Sequence, residues 1–427
     1  MKDPRTRASV REVPPSSPVV SVQVPLPLAV ALADVREGFF ALCIDTGRQV
    51  LHALMEDDRR RVCGPKWLPN PQRLAQRGGS IASEITLGGR RIPVRRLRAR
   101  AVAGSELALP SFTWATGRDP LDRRTLEAIA VGVSTRNYLR SLDALPPGED
   151  ERAVSKSAVS RRFVALSTTR LRAFLARPLA DLTIRIILID GLVVGDHVIL
   201  IALGIAADGH KHVLALREGT TENATVTREL LADLVDRGLA SDQPVLFGID
   251  GAKALRKAIR AVFGSRAVVQ RCQVHKRRNV LDHLPEALQP TVRTAMQQAY
   301  ELADPALAQR RLETLAGSLE RQHPGAAASL REGLEETLTL QRLGVTGALY
   351  RTLRSTNAIE NLNGLVDHFT RNVRRWRDGR MVERWVAAGI LEAQTRFRRI
   401  RGYRDLRHLF VALDRHVPQL DNRKEVA

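Results

Sequence analysis

Two stretches decide the fold: LTIRIILIDG at 182–191 and PVLFGIDG at 244–251. Each is an apolar, β-branched run of strand length that closes on Asp-Gly. A carboxylate delivered by a buried strand must be hydrated, paired or bound to a metal, because an isolated ionised acid in an apolar setting is costly. Asp-Gly is also a common turn that simply ends a strand, so either word alone has two readings. Asp190-Gly191 and Asp250-Gly251 together, with further acids downstream, point to a metal-dependent site.

The flanking text supplies the rest of a sheet. LIDG is followed by HVILIALGIA (197–206), an Ala-Asp-Gly turn at 207–209 and HKHVLALREG (210–219), three strands in succession. Helix TVTRELLADLVDRGL (225–239), strand PVLFGID, helix AKALRKAIRAVFG (252–264), strand AVVQRC (267–272) and helix HKRRNVLDHLP (275–285) follow. The order βββαβαβα, two hairpins and then crossovers, predicts an α/β fold with a mixed sheet flanked by helices. It matches the ribonuclease-H-like architecture. There the first and fourth strands are parallel neighbours about 4.8 Å apart, so Asp190 and Asp250 would share one site.

Six segments are expected. Residues 1–33, rich in Pro, Ser and Val, read as a flexible arm, and VPLPLAVALA within them reads as neither signal peptide nor anchor. Residues 34–110 combine a helix, apolar at Phe39, Phe40, Leu42, Cys43, Val50, Leu51, Leu54 and Met55, with a hairpin ITLGGRRIPVRRLRAR turning at Gly88-Gly89. Arg91, Arg95, Arg96, Arg98 and Arg100 would lie on DNA phosphates or on a solvated edge. Residues 111–180 read as a helix-turn-helix-like DNA-binding region. Its last helix, capped by Ser155 or Ser157, turns Lys156, Ser157, Ser160, Arg161 and Arg162 outward and Val159 and Phe163 inward. A plain amphipathic helix would look the same. Residues 181–284 form the first part of the catalytic core, 285–350 a helical insertion, and 351–427 the last part, with a late acid and C-terminal helices.

The charge narrows the partner. In 427 residues, 67 Lys and Arg face 46 Asp and Glu, a net charge of +21. Such a field attracts polyanions, nucleic acid or an anionic membrane surface. No run approaches the roughly 18–20 apolar residues that span a bilayer, which leaves nucleic acid. Three scattered cysteines, Cys43, Cys63 and Cys272, are no disulfide framework and fit a reducing cytoplasm.

The third acid is expected from a helix packed on the sheet. Glu360 in TNAIENLNG is the candidate, and Glu218 and Glu222 are weaker ones. A rival reading makes Asn357 an N-cap and Glu360 its capping-box partner. Cys272-Gln-Val-His275 has half the spacing of a zinc site, and no second Cys/His pair stands at a useful distance, so structural zinc is not expected. His275, Lys276, Arg277 and Arg278 read as phosphate contacts or a solvated helix start. Arg371, Arg374 and Arg375 read as a basic helical face.

These residues resemble the mutator-type bacterial insertion-sequence transposases. The matching text is LIDG (188–191), GTTENATV (219–226), L-x-DRGL (234–239), GIDGAKALRKAI (248–259), QRCQVHKRRNVLDHLP (270–285), STNAIENLNG (355–364) and RNVRRWRDGRM (371–381). The resemblance covers roughly 60–405. It implies a ribonuclease-H-like core interrupted by a helical insertion. It also implies an Asp-Asp-Glu set, here Asp190, Asp250 and Glu360, holding Mg²⁺ or Mn²⁺ by analogy with two-metal sites. It further implies double-stranded DNA as partner (terminal inverted repeats and target), a homodimer or higher assembly on DNA, and a cytoplasmic, nucleoid-associated protein. Asp367 and His368 depart from the pattern, standing where related sequences carry basic residues. A catalytically inactive or domesticated repressor, or a structure-specific nuclease on the same fold, would share most of these features.

Overall fold

A computed structural model describes residues 35–117 and 152–424, apart from positions 69, 88–89, 102, 154–155, 221–222, 372 and 374. The chain divides into two compact units, the second taking up from Arg161 onward. The expected arm, the helices expected within 118–151 and the Gly88-Gly89 turn lie outside the described residues.

In the first unit, helix α1 (Val35–Cys63) precedes strands β1 (Ala75–Leu87), β2 (Arg90–Ala101) and β3 (Glu106–Leu107), helix α2 (Pro110–Gly117) and strand β4 (Arg152–Ala153). The hairpin forms, with β1 antiparallel to β2 from Ala75↔Ala101 to Leu87↔Arg90. Leu51, Met55, Cys63, Ala75, Leu97 and Ala99 form its core. Leu54 and Cys43, expected on the apolar face of α1, are exposed instead, and Ile44 is buried. Much of the hairpin's basic charge is answered within the unit. Arg91 pairs with Glu84 at 3.2 Å, and Arg96 and Arg98 both pair with Glu106.

Helix α3 (Lys156–Ala176) leads into the second unit. Val159 and Phe163 are buried and Ser157, Ser160 and Arg161 exposed, as the helical period predicts. Phe163 packs on Trp385 with ring centroids 4.5 Å apart.

The sheet of the second unit contains β5 (Ile184–Val194), β6 (His197–Ala206), β7 (Lys211–Glu218), β8 (Val245–Ile249) and β9 (Ala267–Arg271). Its order is β7-β6-β5-β8-β9. The first two links are antiparallel hairpins; β5 with β8 and β8 with β9 are parallel. Helix α4 (Ala224–Asp236) and helix α5 (Lys253–Phe263) are the crossovers. The mixed sheet flanked by helices is as expected.

One expectation about β5 is corrected. Asp190 does not end the strand. The strand continues to Val194, paired to β6 up to Val194↔His197, because the chain turns only at Gly195 (φ +60°). What stops near Asp190 is the parallel pairing to β8, last seen at Leu188↔Gly248.

The pleat decides which face carries the acids. Ile187 and Ile189, with Val245, Phe247 and Ile249, pack under α4 and α5. Ile186, Leu188 and Leu246 point the other way. Side chains alternate along a strand, so Asp190 and Asp250 fall on this second face. The helices covering it come late in the chain. After β9, α6 (Gln273–Leu281) opens a helical layer with α7 (Gln289–Tyr300), α8 (Pro305–Leu319) and α9 (Pro324–Arg331), which has a core of its own including Met296, Leu312 and Leu330. The chain then returns through α10 (Gly347–Leu353), α11 (Asn357–Thr370), α12 (Gly379–Gln394) and α13 (Leu406–Lys424). Ile359, Leu362 and Val366 of α11 join Ile186 and Leu188 in one cluster.

α11 ends at Thr370, and Arg371, Val373 and Arg375 lie beyond it outside any helix, so the expected helical setting of the basic residues is not found at these positions. The chain turns there and brings Trp376 against the core beside Gly195. Arg371 and Arg375 are exposed, and Arg374 lies outside the described residues.

Candidate active site

The parallel register pairs Ile186 with Leu246, Ile187 with Phe247 and Leu188 with Gly248, a constant offset. Continued two residues, the offset sets Asp190 level with Asp250, just past the last paired residues of the two strands. Gly248 permits the close approach: a Cβ there would stand 2.4 Å from Leu188 Cδ2. Gly251 is equally constrained. Its φ is +113°, and a Cβ would meet Arg271 Nε at 2.0 Å. Local backbone donors hold both acids. Gly191 N–H donates to Asp190 Oδ1 and Ala252 N–H donates to Asp250 Oδ1, each at 3.0 Å.

Glu360 reaches the same place from the first turn of α11. The carboxylates sense one another. Burial, with the charges of Asp250 and Glu360, pushes the Asp190 carboxyl up to about 6. Asp250 and Glu360 both lie near enough for their charges to act on Asp190.

The capping-box reading of Glu360 is corrected. Thr356, not Asn357, is the N-cap of α11, and its side chain makes no capping bond. The Thr356 hydroxyl lies 2.6 Å from Glu360 Oε1, to which it donates. It also lies 3.4 Å from Cys272 Sγ and 3.3 Å from His275 Nδ1. Cys272 is the N-cap of α6 and accepts from His275 N–H at 3.5 Å. The His275 ring stands 3.9 Å from Glu360 Oε1.

Cys272, His275 and Glu360 thus offer three ligand atoms within 4.8 Å of one another. The arrangement fits a hydrogen-bond hub better than a metal site, since the Thr356 hydroxyl stands within reach of all three. The bond to Cys272, with the nearby charges of Cys272, Glu360 and Asp190, lifts the His275 pKa to about 9. Burial favours the neutral Cys272 thiol, but hydrogen bonds with His275 and Thr356 outweigh it and bring its pKa below the ordinary range.

Two predicted contacts are placed differently. Lys276 is fully buried, and its Nζ donates to the carbonyls of Ser329 and Glu332, so it does not face phosphates. Burial depresses its pKa to about 8. His275 faces the acids. Arg278 is exposed and Arg277 partly so. Glu218 is held at the end of β7 by His197, 2.6 Å away, and Glu222 lies outside the described residues. Asp367 and His368 are exposed on α11, beyond the acids.

Sequence reasoning passed over Asn363. One turn past Glu360, its Nδ2 donates to Asp190 Oδ2 at 2.9 Å. The i, i+3 spacing from Glu360 is the signal that could have found it.

Comparison with known proteins decides the family. The family model described as "Transposase, Mutator family" matches residues 33–399. The chain belongs to the Mutator family of transposases. Its relatives in that family include the transposase for insertion sequence element IS6120 of Mycolicibacterium smegmatis. That protein is 31% identical over 214 residues, 49% of this chain and 64% of the relative. The transposase for ISRM5 of Rhizobium meliloti is 28% identical over 324 residues, 74% and 77% of the two chains. The transposase for IS256 in transposon Tn4001 of Staphylococcus aureus is 24% identical over 359 residues, 80% and 87%. The chain spans less than two thirds of the Mycolicibacterium relative. No described helix is long and apolar enough to cross a membrane.

Proposed function

We propose that the chain is a DNA transposase that binds the terminal inverted repeats of its element. It would cut and rejoin DNA strands at a divalent-cation centre on a ribonuclease-H-like core. What supports this reading is that neighbouring strands carry Asp190 and Asp250 on one face of the sheet, with Glu360 on the helix packed there, in a chain of the Mutator transposase family.

The donor set fits Mg²⁺ or Mn²⁺. Three carboxylates are hard oxygen ligands, and burial, with the charges of Asp250 and Glu360, raises the Asp190 carboxyl. Asp190, Asp250 and Glu360 would hold the ions. When bound, the ions supply charge neutralisation at the scissile phosphate and lower the pKa of the attacking water or hydroxyl. The residues' own work is positional. The strand register fixes the two aspartates, and the Thr356 hub fixes Glu360. Water would attack a phosphodiester and release a 3′-hydroxyl at the element end. That hydroxyl would attack a target phosphodiester and displace the target strand's 3′-oxygen, so no side-chain nucleophile is needed. Ser157, Arg161, Arg278, Arg371 and Arg375, all exposed, are the described residues proposed to meet DNA. Lys156, Arg162, Arg277 and Arg374 would support them. The working form would be a homodimer or larger assembly on paired ends, in the nucleoid.

The test is strand cleavage and joining on inverted-repeat DNA with Mg²⁺ or Mn²⁺, with Asp250→Ala as control. Equal activity in the variant would sink the assignment. Cutting without joining would instead identify a nuclease, and binding without cutting a repressor.

A further inference from the structure

We propose that Asn363 is a positioning residue of the acidic centre, fixing the Asp190 carboxylate for cation binding. The proposal rests on Asp190, Asp250 and Glu360 being that centre. Asp190 has two oxygens, and the protein holds both: Gly191 N–H on Oδ1 at 3.0 Å and Asn363 Nδ2 on Oδ2 at 2.9 Å. The first bond is local and follows the backbone. The second spans 173 residues and ties the strand acid to the helix that carries Glu360. One helix therefore sets two of the three acids, Glu360 through its own position and Asp190 through the amide one turn on.

The amide is placed at a cost that folding does not explain. With Nδ2 turned to the carboxylate, Asn363 Oδ1 is buried and has no hydrogen-bond partner. A buried acceptor left without a donor is destabilising, and such groups in a native fold call for a reason. Flipping the amide would set its oxygen against a carboxylate oxygen, which is worse. An apolar side chain of the same size would leave no such orphan. What it would lose is the donor that orients Asp190. A side chain that orients a ligand in this way typically changes metal affinity or activity by about tenfold to hundredfold when removed.

Asn363→Leu separates the two roles. A positioning role predicts Mn²⁺ affinity, measured calorimetrically on the full chain without DNA, about tenfold weaker than wild type. It predicts cleavage of inverted-repeat DNA reduced about tenfold or more at limiting Mg²⁺ and partly recovered at high Mg²⁺. The melting temperature in EDTA should be equal to or above that of wild type, since the orphan acceptor is gone. Unchanged Mn²⁺ affinity overturns the proposal. So does a lowered melting temperature with unchanged metal dependence, which marks a structural residue. Should Asn363→Leu fail to fold, Asn363→Ser removes the same donor with less change in shape and is read by the same two measurements. Asp250→Ala run in parallel distinguishes the failures. If it also leaves Mn²⁺ binding intact, the acidic centre itself is wrong; if it abolishes binding while Asn363→Leu does not, only the role of Asn363 is.

Discussion

Replacing Asp190 by asparagine should make the metal-free protein more stable while destroying its activity. Burial and the neighbouring carboxylates lift the Asp190 carboxyl to about 6 in the fold, from 3.8 in the unfolded chain. The difference is about two pH units, and each is worth about 1.36 kcal/mol. Ionising Asp190 therefore costs the folded state about 3 kcal/mol. For an acid with a raised folded pKa the sign is clear. Below 3.8 the group is protonated in both states and costs nothing; the cost grows between 3.8 and 6 and is complete above. D190N removes the charge; its amide oxygen can still accept from Gly191 N–H, and its NH₂ can donate to Asn363 Oδ1 once the Asn363 amide flips. Urea unfolding in EDTA should find the variant about 2–3 kcal/mol more stable at pH 8, with the gain shrinking towards zero by pH 4. Mg²⁺ at about 1,000 times its Kd should reverse the order, since it adds about 4.1 kcal/mol to wild type alone. A gain that does not depend on pH, or a variant less stable than wild type at pH 8, would refute the claim that the fold penalises ionised Asp190.

Further predictions follow from single contacts. Thr356→Val removes the hydroxyl that donates to Glu360 at 2.6 Å. A bond to a charged group is worth roughly 1.5–3 kcal/mol, so cleavage at limiting Mg²⁺ should fall about tenfold or more, and an unchanged rate would show that the hub does not hold Glu360. Gly251→Ala forces a Cβ to within 2.0 Å of Arg271 Nε at φ +113°, so urea unfolding should show a loss of at least about 1 kcal/mol. A loss below 0.5 kcal/mol would mean that the strand end yields. Lys276→Met leaves the Ser329 and Glu332 carbonyls without their ammonium donor and should destabilise the fold without touching DNA affinity. The slope of log K against log salt should not change. A slope shallower by about 0.9 would instead mark Lys276 as a phosphate contact.

Much of the sheet was legible because its signals are local. β-branched runs, an Asp208-Gly209 turn and the alternation of strands with helices give the strand order, and parity along β5 and β8 then puts Asp190 and Asp250 on one face. The misreadings share one cause, a partner far away in sequence. Lys276 sits in a run, HKRR, that reads as a solvated helix start. Only the folded insertion supplies the carbonyls, 53 and 56 residues on, that bury it. Glu360 reads as a capping-box residue from its spacing to Asn357, but Thr356, Cys272 and His275 draw the local chemistry away from that motif. The basic face expected at 371–375 needs a helix, but α11 ends at Thr370 and partly buried Trp376 packs against the core soon after. Asn363 was passed over because an amide has no titration or metal-ligand signature to find; its role appears only across a contact of 173 residues.

The most direct test of the central claim is to let the cation report its own location. With Fe²⁺ in place of Mg²⁺, together with ascorbate and peroxide, hydroxyl radicals cut the chain beside the bound ion. If Asp190, Asp250 and Glu360 form one centre, the cuts fall in three separate segments, around 188–191, 248–251 and 356–361, and all three vanish together in Asp250→Ala. Cuts confined to one segment, or persisting in that variant, would contradict it.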